Sequence, residues 1–550
     1  MPDPHTGSKI YWYNMSNASS LGKGVHTEET VRLDHDDQSK SDHDIKIVKR
    51  KTMDTTLAFM EEHDSEVPEI TPEQERKLYH KLLRRVFVMV FLINLFMFMD
   101  KNAMGFSKLL GMWKDTNLKQ KEYNNTNTLF YVGYLIGQFP GHLLFQTFNK
   151  RYFMAVTLTC WLILMFTQLA AKDYAGIATI RFFLGLTESS VTPCIEHTLG
   201  MFFDSKTQSV LNPILWLGAV SVGIPTGFIA YGISHVKGSI HPWKLYWIIN
   251  GSLTFLLSIW VVLDYPTNPA EYKAFTIEER VHIIRKIKRQ NRSSIEEKKI
   301  KKYQFIEAIK DPVTWLFSLY ALTSMLANNM NFQQQVISLS LGVSRINSTL
   351  ITVAQSCYSC AFFLLGSFLM TKFKSSLCYL AVIFNIPAIL GGFLAVFLPW
   401  KNKIGILASC IIVHTDGFAY ILALCWSQIS AAGYTKRLTR TAMFMIGYGI
   451  GDIIAPQMWV TGPRYYAAWG VQLGIAWFGS SLILLTIRYI LAKRNNERVK
   501  DLTYDSDGNV IMKRYEYLES GSDAESGKRE TDVSNFDLTD FENKEFIYPL

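Results

Sequence analysis

VFVMVFLINLFMFM, residues 86–99, is an almost unbroken apolar run, and Asp100 and Lys101 follow it directly. An apolar helix of about 20 residues, rising 1.5 Å per residue, crosses the roughly 30 Å of hydrocarbon in a bilayer. Runs of that kind recur at 152–171 (YFMAVTLTCWLILMFTQLAA), 245–263 (LYWIINGSLTFLLSIWVVL), 379–398 (YLAVIFNIPAILGGFLAVFL) and 470–490 (GVQLGIAWFGSSLILLTIRYI). With the weaker, more polar segments between them, the pattern predicts an all-α membrane protein of about twelve transmembrane helices. The chain average hides this. Hydrophobic residues are 49% and mean hydropathy is only +0.09, because polar ends dilute the spans.

No basic start followed by an apolar core opens the chain, so the first span is expected to serve as the insertion signal, leaving a cytosolic N-terminus. Basic connections agree, since cytoplasmic loops carry the excess of Lys and Arg. NKR (149–151), TKFK (371–374), TKRLTR (435–440) and AKRNNERVK (492–500) fall on one side, against KDYAG and LPWKNK on the other. The largest basic excess, RVHIIRKIKRQNRSSIEEKKIKKYQF (280–305), divides the spans six and six, the sign of an internal repeat. The expected organisation is a largely disordered cytosolic tail at 1–80, a six-helix half at 81–264, a cytosolic linker at 265–312, a second half at 313–492 and a cytosolic tail at 493–550. Gly and Pro interrupt the fifth span of each half, GIPTGFIAYG (223–232) and GYGIGDIIAPQ (447–457). That reads either as a midplane binding site with moving parts or as close helix packing through small residues.

The net charge of +9 follows the topology. Lys and Arg in the linker alternate with Glu in SSIEEKKIKK, which fits an amphipathic helix near anionic lipid better than a nucleic-acid surface. Cys160, Cys194, Cys357, Cys360, Cys378, Cys410 and Cys425 all fall in predicted spans, so no disulfide framework is implied. The CxxC of Cys357 and Cys360 lacks a second pair for a metal, and no metal or cofactor is expected. Of the sequons at Asn124 and Asn347, only the second sits clearly in an external loop.

A charge at the bilayer centre costs roughly 2.5–3.5 kcal/mol on insertion scales, so it persists where it is paired, solvated or needed. The spans hold Asp100, Lys101, Arg181, Glu188, Asp416 beside His414, and Asp452. Counting residues puts Asp100 about 22 Å from the cytosolic face and Arg181 about 10 Å below the external one, at similar levels. Glu188, seven residues on, shares the face of Arg181 and sits about 10 Å deeper. Lys101 and Arg181 together could hold a carboxylate, and Asp100 and Glu188 could take up a proton that an arriving anion releases them to accept. The competing reading is a structural lock between helices. Asn328, Asn329 and Gln333 offer amide hydrogen bonds to a polar ligand, and Trp426 could shape the pocket.

These residues carry a resemblance. MDKNA (99–103), RFFLGLTESSVTP (181–193), YPTNPAEYKAFTIEER (265–280) and DLTDFENKEFIYPL (537–550) resemble the major facilitator superfamily, its anion:cation symporter group and the fungal allantoate permease family. Through TLAFMEEHDSEVPEITPEQERKL, NTLFYVGYLIGQFPG and IPTGFIAYG, the similarity runs towards the branch that carries cysteine. The resemblance implies substrate handling at Lys101 and Arg181 and proton handling at Asp100 and Glu188. Lys101 stands where the family commonly has Arg. Phe145 and Gln146 replace the Asp and Arg of the superfamily's gating loop.

Three classes of function are compatible with these features. A monomeric, proton-coupled plasma-membrane importer of a small anionic or zwitterionic solute is favoured, cysteine-like, with allantoate, a vitamin carboxylate or a sulfonate as alternatives and the endoplasmic reticulum as a second location. A non-transporting nutrient sensor would need a larger signalling tail. An enzyme built on His414 and Asp416 would lack a nearby nucleophile, metal cluster or nucleotide loop.

Overall fold

The computed structural model describes residues 59–60, 62–63, 67–291, 301–372, 377–460, 462, 464–500, 515–518, 528–531, 539–543 and 546–550. Residues 54–550 form one compact unit; the disorder expected over 1–58 lies outside the described residues. The helices make twelve passages, six on each side of the linker.

In the first half, α1 (Pro72–Leu82) continues through a π-turn into α2 (Val88–Leu109) as the first passage, and the short α3 (Met112–Thr116) follows. The second and third passages are α4 (Gln120–Thr147) and α5 (Lys150–Thr167). The fourth is broken into α6 (Tyr174–Glu188) and α7 (Val191–Phe202), the fifth into α8 (Ser205–Ser221) and α9 (Gly223–Ser234), and α10 (Pro242–Asp264) is the sixth. The linker carries α11 (Ile277–Asn291) and α12 (Lys302–Lys310).

The second half runs α13 (Pro312–Met325) with α14 (Met330–Ser340), then α15 (Arg345–Lys372) and α16 (Leu377–Phe397). Its tenth passage is α17 (Lys403–Ile412), a 3-10 turn (Val413–Thr415) and α18 (Asp416–Ile429). The eleventh is α19 (Tyr434–Ile454), and the twelfth joins α20 (Tyr466–Val471) through a π-turn to α21 (Ser480–Val499).

Eight passages are long and apolar enough to cross a membrane on composition alone. The second, fourth, seventh and eleventh are not, and they carry buried Asn124, Arg181, Glu188, Gln333 and Asp452. Large apolar side chains such as Leu256, Ile383 and Phe478 face outwards, where lipid tails rather than water cover them. The second and fourth passages touch backbone to backbone: a Cβ on Gly185 would collide with the Phe130 carbonyl, and one on Gly133 with that of Phe182. Small residues permit this approach in a medium where burial supplies no hydrophobic gain.

At the end of the bundle that carries the linker, parts of both terminal stretches are ordered. The stretch up to residue 80 is not all irregular, because Thr71 caps α1 in a capping box with Gln74, and Glu75 pairs with Lys286 of α11 at 2.7 Å. The last tail is not all loose either. Residues 515–518 and 528–531 form a short antiparallel pair, the one departure from an all-helical chain among the described residues. Beyond them, residues 539–543 and 546–550 form a strap docked on the second half. Leu377 N–H donates to the Leu550 carbonyl at 3.1 Å, and Asn495 bonds the backbone of Tyr548 twice, at 2.9 Å each. Asp540 pairs with Lys436 at 2.8 Å, beside Asp311, which takes Arg440 at 2.7 Å and Arg494 at 2.8 Å. Burial pushes the Asp311 carboxyl up. The hydrogen bond from Arg494 and the charges of Arg440, Arg494 and Lys436 outweigh that and hold it below the usual carboxylate range.

At the opposite, distal end the two halves are bonded to each other. Asn124 donates to the Trp459 carbonyl at 3.2 Å, Thr128 to the Ile453 carbonyl at 3.0 Å, and Gln457 to Thr128 at 2.9 Å. Here α9 lies on α15, with Gly223 against Ser356 and Gly227 against Val353. In the corresponding fifth span of the second half, Gly447 and Gly451 lie against the Ser318 and Leu322 carbonyls of α13. In both spans the glycines serve close packing, across the halves in one and within a half in the other.

Candidate functional site

Between the halves, beneath the distal closure, lies a cavity of about 240 Å³, near the lower end of the roughly 300–1,000 Å³ typical of ligand sites and suited to a small solute. Lys101, Tyr131, Tyr134 and Trp216 line it from the first half, and Asn328, Gln335, His414, Asp416 and Tyr448 from the second.

Lys101 is the cation that faces the cavity. Its Nζ lies 4.9 Å from the Phe98 ring centroid, 5.1 Å from Tyr134 and 5.9 Å from Phe130, and it makes no ion pair among the described residues. Aromatic faces attract the ammonium without occupying its hydrogen bonds, so it stays available to an anion.

Behind Lys101, α2 and α6 bring Asp100, Arg181 and Glu188 into one buried cluster. Asp100 accepts from the Trp161 indole at 3.2 Å, and its other oxygen and both Glu188 oxygens take no donor. The two carboxyl groups are electrostatic neighbours. Residue counting had left Glu188 deeper than Asp100. Helical side chains lean towards their own N-terminus, and because α2 and α6 run in opposite directions the two side chains lean together. The Arg181 guanidinium lies 5.2 Å over the Trp247 ring, with Nε and one terminal nitrogen unbonded. Its electrostatic partners are Asp100 and Glu188. Arg181 lies behind Lys101 and is not among the residues that line the cavity.

The amides separate by helical face. Asn328, in the turn between α13 and α14, donates to Asp452 Oδ1 at 2.8 Å and borders the cavity. Gln333 donates to Asn124 at 3.3 Å and belongs to the distal closure, while Asn329 is buried with neither amide atom bonded. Neither lines the cavity, whereas Gln335, two residues on, does. Trp426 is not among the lining residues either: its indole donates to the Pro549 carbonyl at 2.8 Å, under the strap. Tyr131, Tyr134, Tyr448 and Gln335 were not singled out from the sequence. The i, i+3 tyrosines in NTLFYVGYLIG were the available signal, but aromatic residues are common on every face of a membrane helix.

The Major Facilitator Superfamily profile matches residues 90–456. The chain belongs to that superfamily. It is 44% identical over 532 residues to the high affinity cysteine transporter of Saccharomyces cerevisiae, covering 94% of this chain and 99% of that one. To an uncharacterized transporter of Schizosaccharomyces pombe it is 43% identical over 510 residues, covering 92% and 89%, and to the S. cerevisiae allantoate permease 27% over 505, covering 88% of each. The xylose transporter XylE of E. coli, in a partially occluded inward open conformation, superposes with a TM-score of 0.56 at 12% identity, covering 74% of this chain and 98% of that one. That likeness concerns the fold alone. The protein is a major facilitator transporter, multi-pass and membrane-embedded, with the cavity between its halves. The gating-loop positions Phe145 and Gln146 have side chains outside those described.

Proposed function

We propose that this transporter imports a small amino acid of the cysteine type across the plasma membrane in symport with protons, with both termini cytosolic. The observation that carries the reading is Lys101, one face on the cavity and its charge in reach of Asp100, Glu188 and Asp452. The 44% identity to a cysteine transporter supports the substrate class. A single chain builds both walls of the cavity, in keeping with a monomer.

The mechanism follows from competition for one ammonium. With the cavity empty, Lys101 and Arg181 stabilise negative charge on the Asp100–Glu188 pair. Two adjacent buried carboxyls repel each other when both are ionised, so the pair readily holds one proton between them. A substrate carboxylate arriving at Lys101 draws that charge away and favours protonation of the pair. Substrate and proton then travel together when the distal closure opens and re-forms. Arg181 positions the pair and does not contact the substrate. Asp100 and Glu188 store the proton.

Uptake of radiolabelled L-cysteine into cells lacking endogenous carriers tests the reading. Accumulation that rises with an inward proton gradient and collapses with a protonophore is expected. Cysteine uptake absent under every gradient, with allantoate or a vitamin carboxylate accumulated instead, overturns the substrate assignment.

A further inference from the structure

We infer that Asp416 is the second pole of the binding site, the group that reads a substrate ammonium, so the cavity takes a solute carrying both a carboxylate and an ammonium. The inference rests on the proposed transport role of the cavity and adds the chemical class that it selects.

The tenth passage does not cross as one α-helix. It breaks at the 3-10 turn Val413–Thr415 and resumes at Asp416, which places His414 and Asp416 on the cavity wall. One Asp416 oxygen accepts from the Trp477 indole at 2.9 Å. That bond fixes the carboxylate's direction, the N-terminal turn of α18 adds its own partial positive charge, and no cation pairs with it among the described residues. An intramembrane carboxylate kept without a partner is costly, and a ligand cation is the group that would repay it.

The opposite wall supplies the complement. Lys101 comes from the first half, Asp416 from the second, and each faces the same cavity without an ion-pair partner. Two further cavity side chains carry an unbonded polar atom: Gln335 Oε1, buried against Gly105 of α2, and, two residues from Asp416, His414, which bonds the Cys410 carbonyl through Nδ1 at 2.9 Å while Nε2 is unbonded. Gln335 Oε1 is an acceptor, suited to an ammonium N–H. A plain anion would satisfy Lys101 and leave Asp416 and Gln335 unpaired. A zwitterion satisfies both walls, and because the walls belong to different halves it also draws them together.

The test is binding to the purified full-length protein, read by calorimetry with L-cysteine, 3-mercaptopropionate (the same skeleton without the ammonium) and cysteamine (without the carboxylate). The wild type is expected to bind L-cysteine at least about tenfold more tightly than either analogue, because a site built for a polar group rejects ligands lacking it. Asp416→Asn should bring L-cysteine down to the affinity of 3-mercaptopropionate and leave the latter unchanged, and Asp416→Glu should restore part of the preference. Equal wild-type affinity for L-cysteine and 3-mercaptopropionate overturns the inference without any variant, as does an Asp416→Asn protein that keeps the preference. L-serine and L-alanine separate the two readings. If either outranks L-cysteine while its deaminated analogue binds weakly, the cysteine assignment falls and the two-pole site stands.

Discussion

Lys101 meets three aromatic faces and no bonded carboxylate, which makes it the side chain whose loss should cost most in binding and least in folding. Lys101→Ala is expected to remove L-cysteine binding in calorimetry while the purified protein keeps its melting temperature within a few degrees. Glu188→Gln cannot share a titrating proton with Asp100. It should lose gradient-driven accumulation yet retain exchange of labelled for unlabelled substrate, measured in proteoliposomes; accumulation that still follows the proton gradient would remove Glu188 from coupling. At the linker end, Asp311 serves stability. Asp311→Asn leaves Arg440 and Arg494 without their carboxylate, a loss of about 3–5 kcal/mol typical of breaking a buried pair. Because its folded value is depressed, its contribution is fully present above the unfolded value of about 3.9 and is lost as pH falls through the lower folded value. The stability gap between wild type and Asp311→Asn should therefore stay constant from neutral pH down to about 5 and close below about 4.

At the scale of helices, the distal closure depends on α9 lying flush with α15. Gly227→Val would drive a branched side chain into Val353 and Thr349, where the Cβ alone meets Val353 Cγ2 at 2.6 Å. The expected outcome is a transporter biased towards its distally open form, seen as faster labelling of a cysteine introduced at Ser356, with cysteine uptake reduced about tenfold or more. Labelling no faster than in the parent would show that this contact does not hold the closure. The same contact shows what a sequence can and cannot tell. GIPTG was legible as a place where something approaches closely, because glycine and proline in a lipid-exposed helix need a reason. Which helix approaches was not legible, since the pattern is identical for packing within a half and across halves. The charged residues were easier to read. Asp100, Lys101, Arg181 and Glu188 each carry an insertion cost that demands a partner, and depth alone put the first three at one level, whereas Glu188 joins them only through the lean of its side chain and Tyr131, Tyr134 and Gln335 cost little wherever they face.

For the molecule as a whole, the six-plus-six plan was legible because hydrocarbon thickness sets the length of every span and the charged linker interrupts the series. The strap was not. Its polar composition reads as a solvated tail, and only the cations on α19 and α21, far off in sequence, make it an ordered part of the second half. Removing residues 539–550 is expected to lower the melting temperature of the purified protein by about 5 °C or more, with Asp540→Asn giving part of the effect. An unchanged melting temperature in both would show the strap to be loosely held. The strap also bears on the order of events in biosynthesis. Its residues leave the ribosome after all twelve passages have been made, so until then Lys436 stands without Asp540 and the Trp426 indole without the Pro549 carbonyl. Every chain must spend its insertion period with the linker end of the bundle unfinished, and a nonsense mutation falling after the twelfth passage but before codon 539 would make that interval permanent, presenting buried cations to the cell's quality-control machinery in a protein whose helices are otherwise complete.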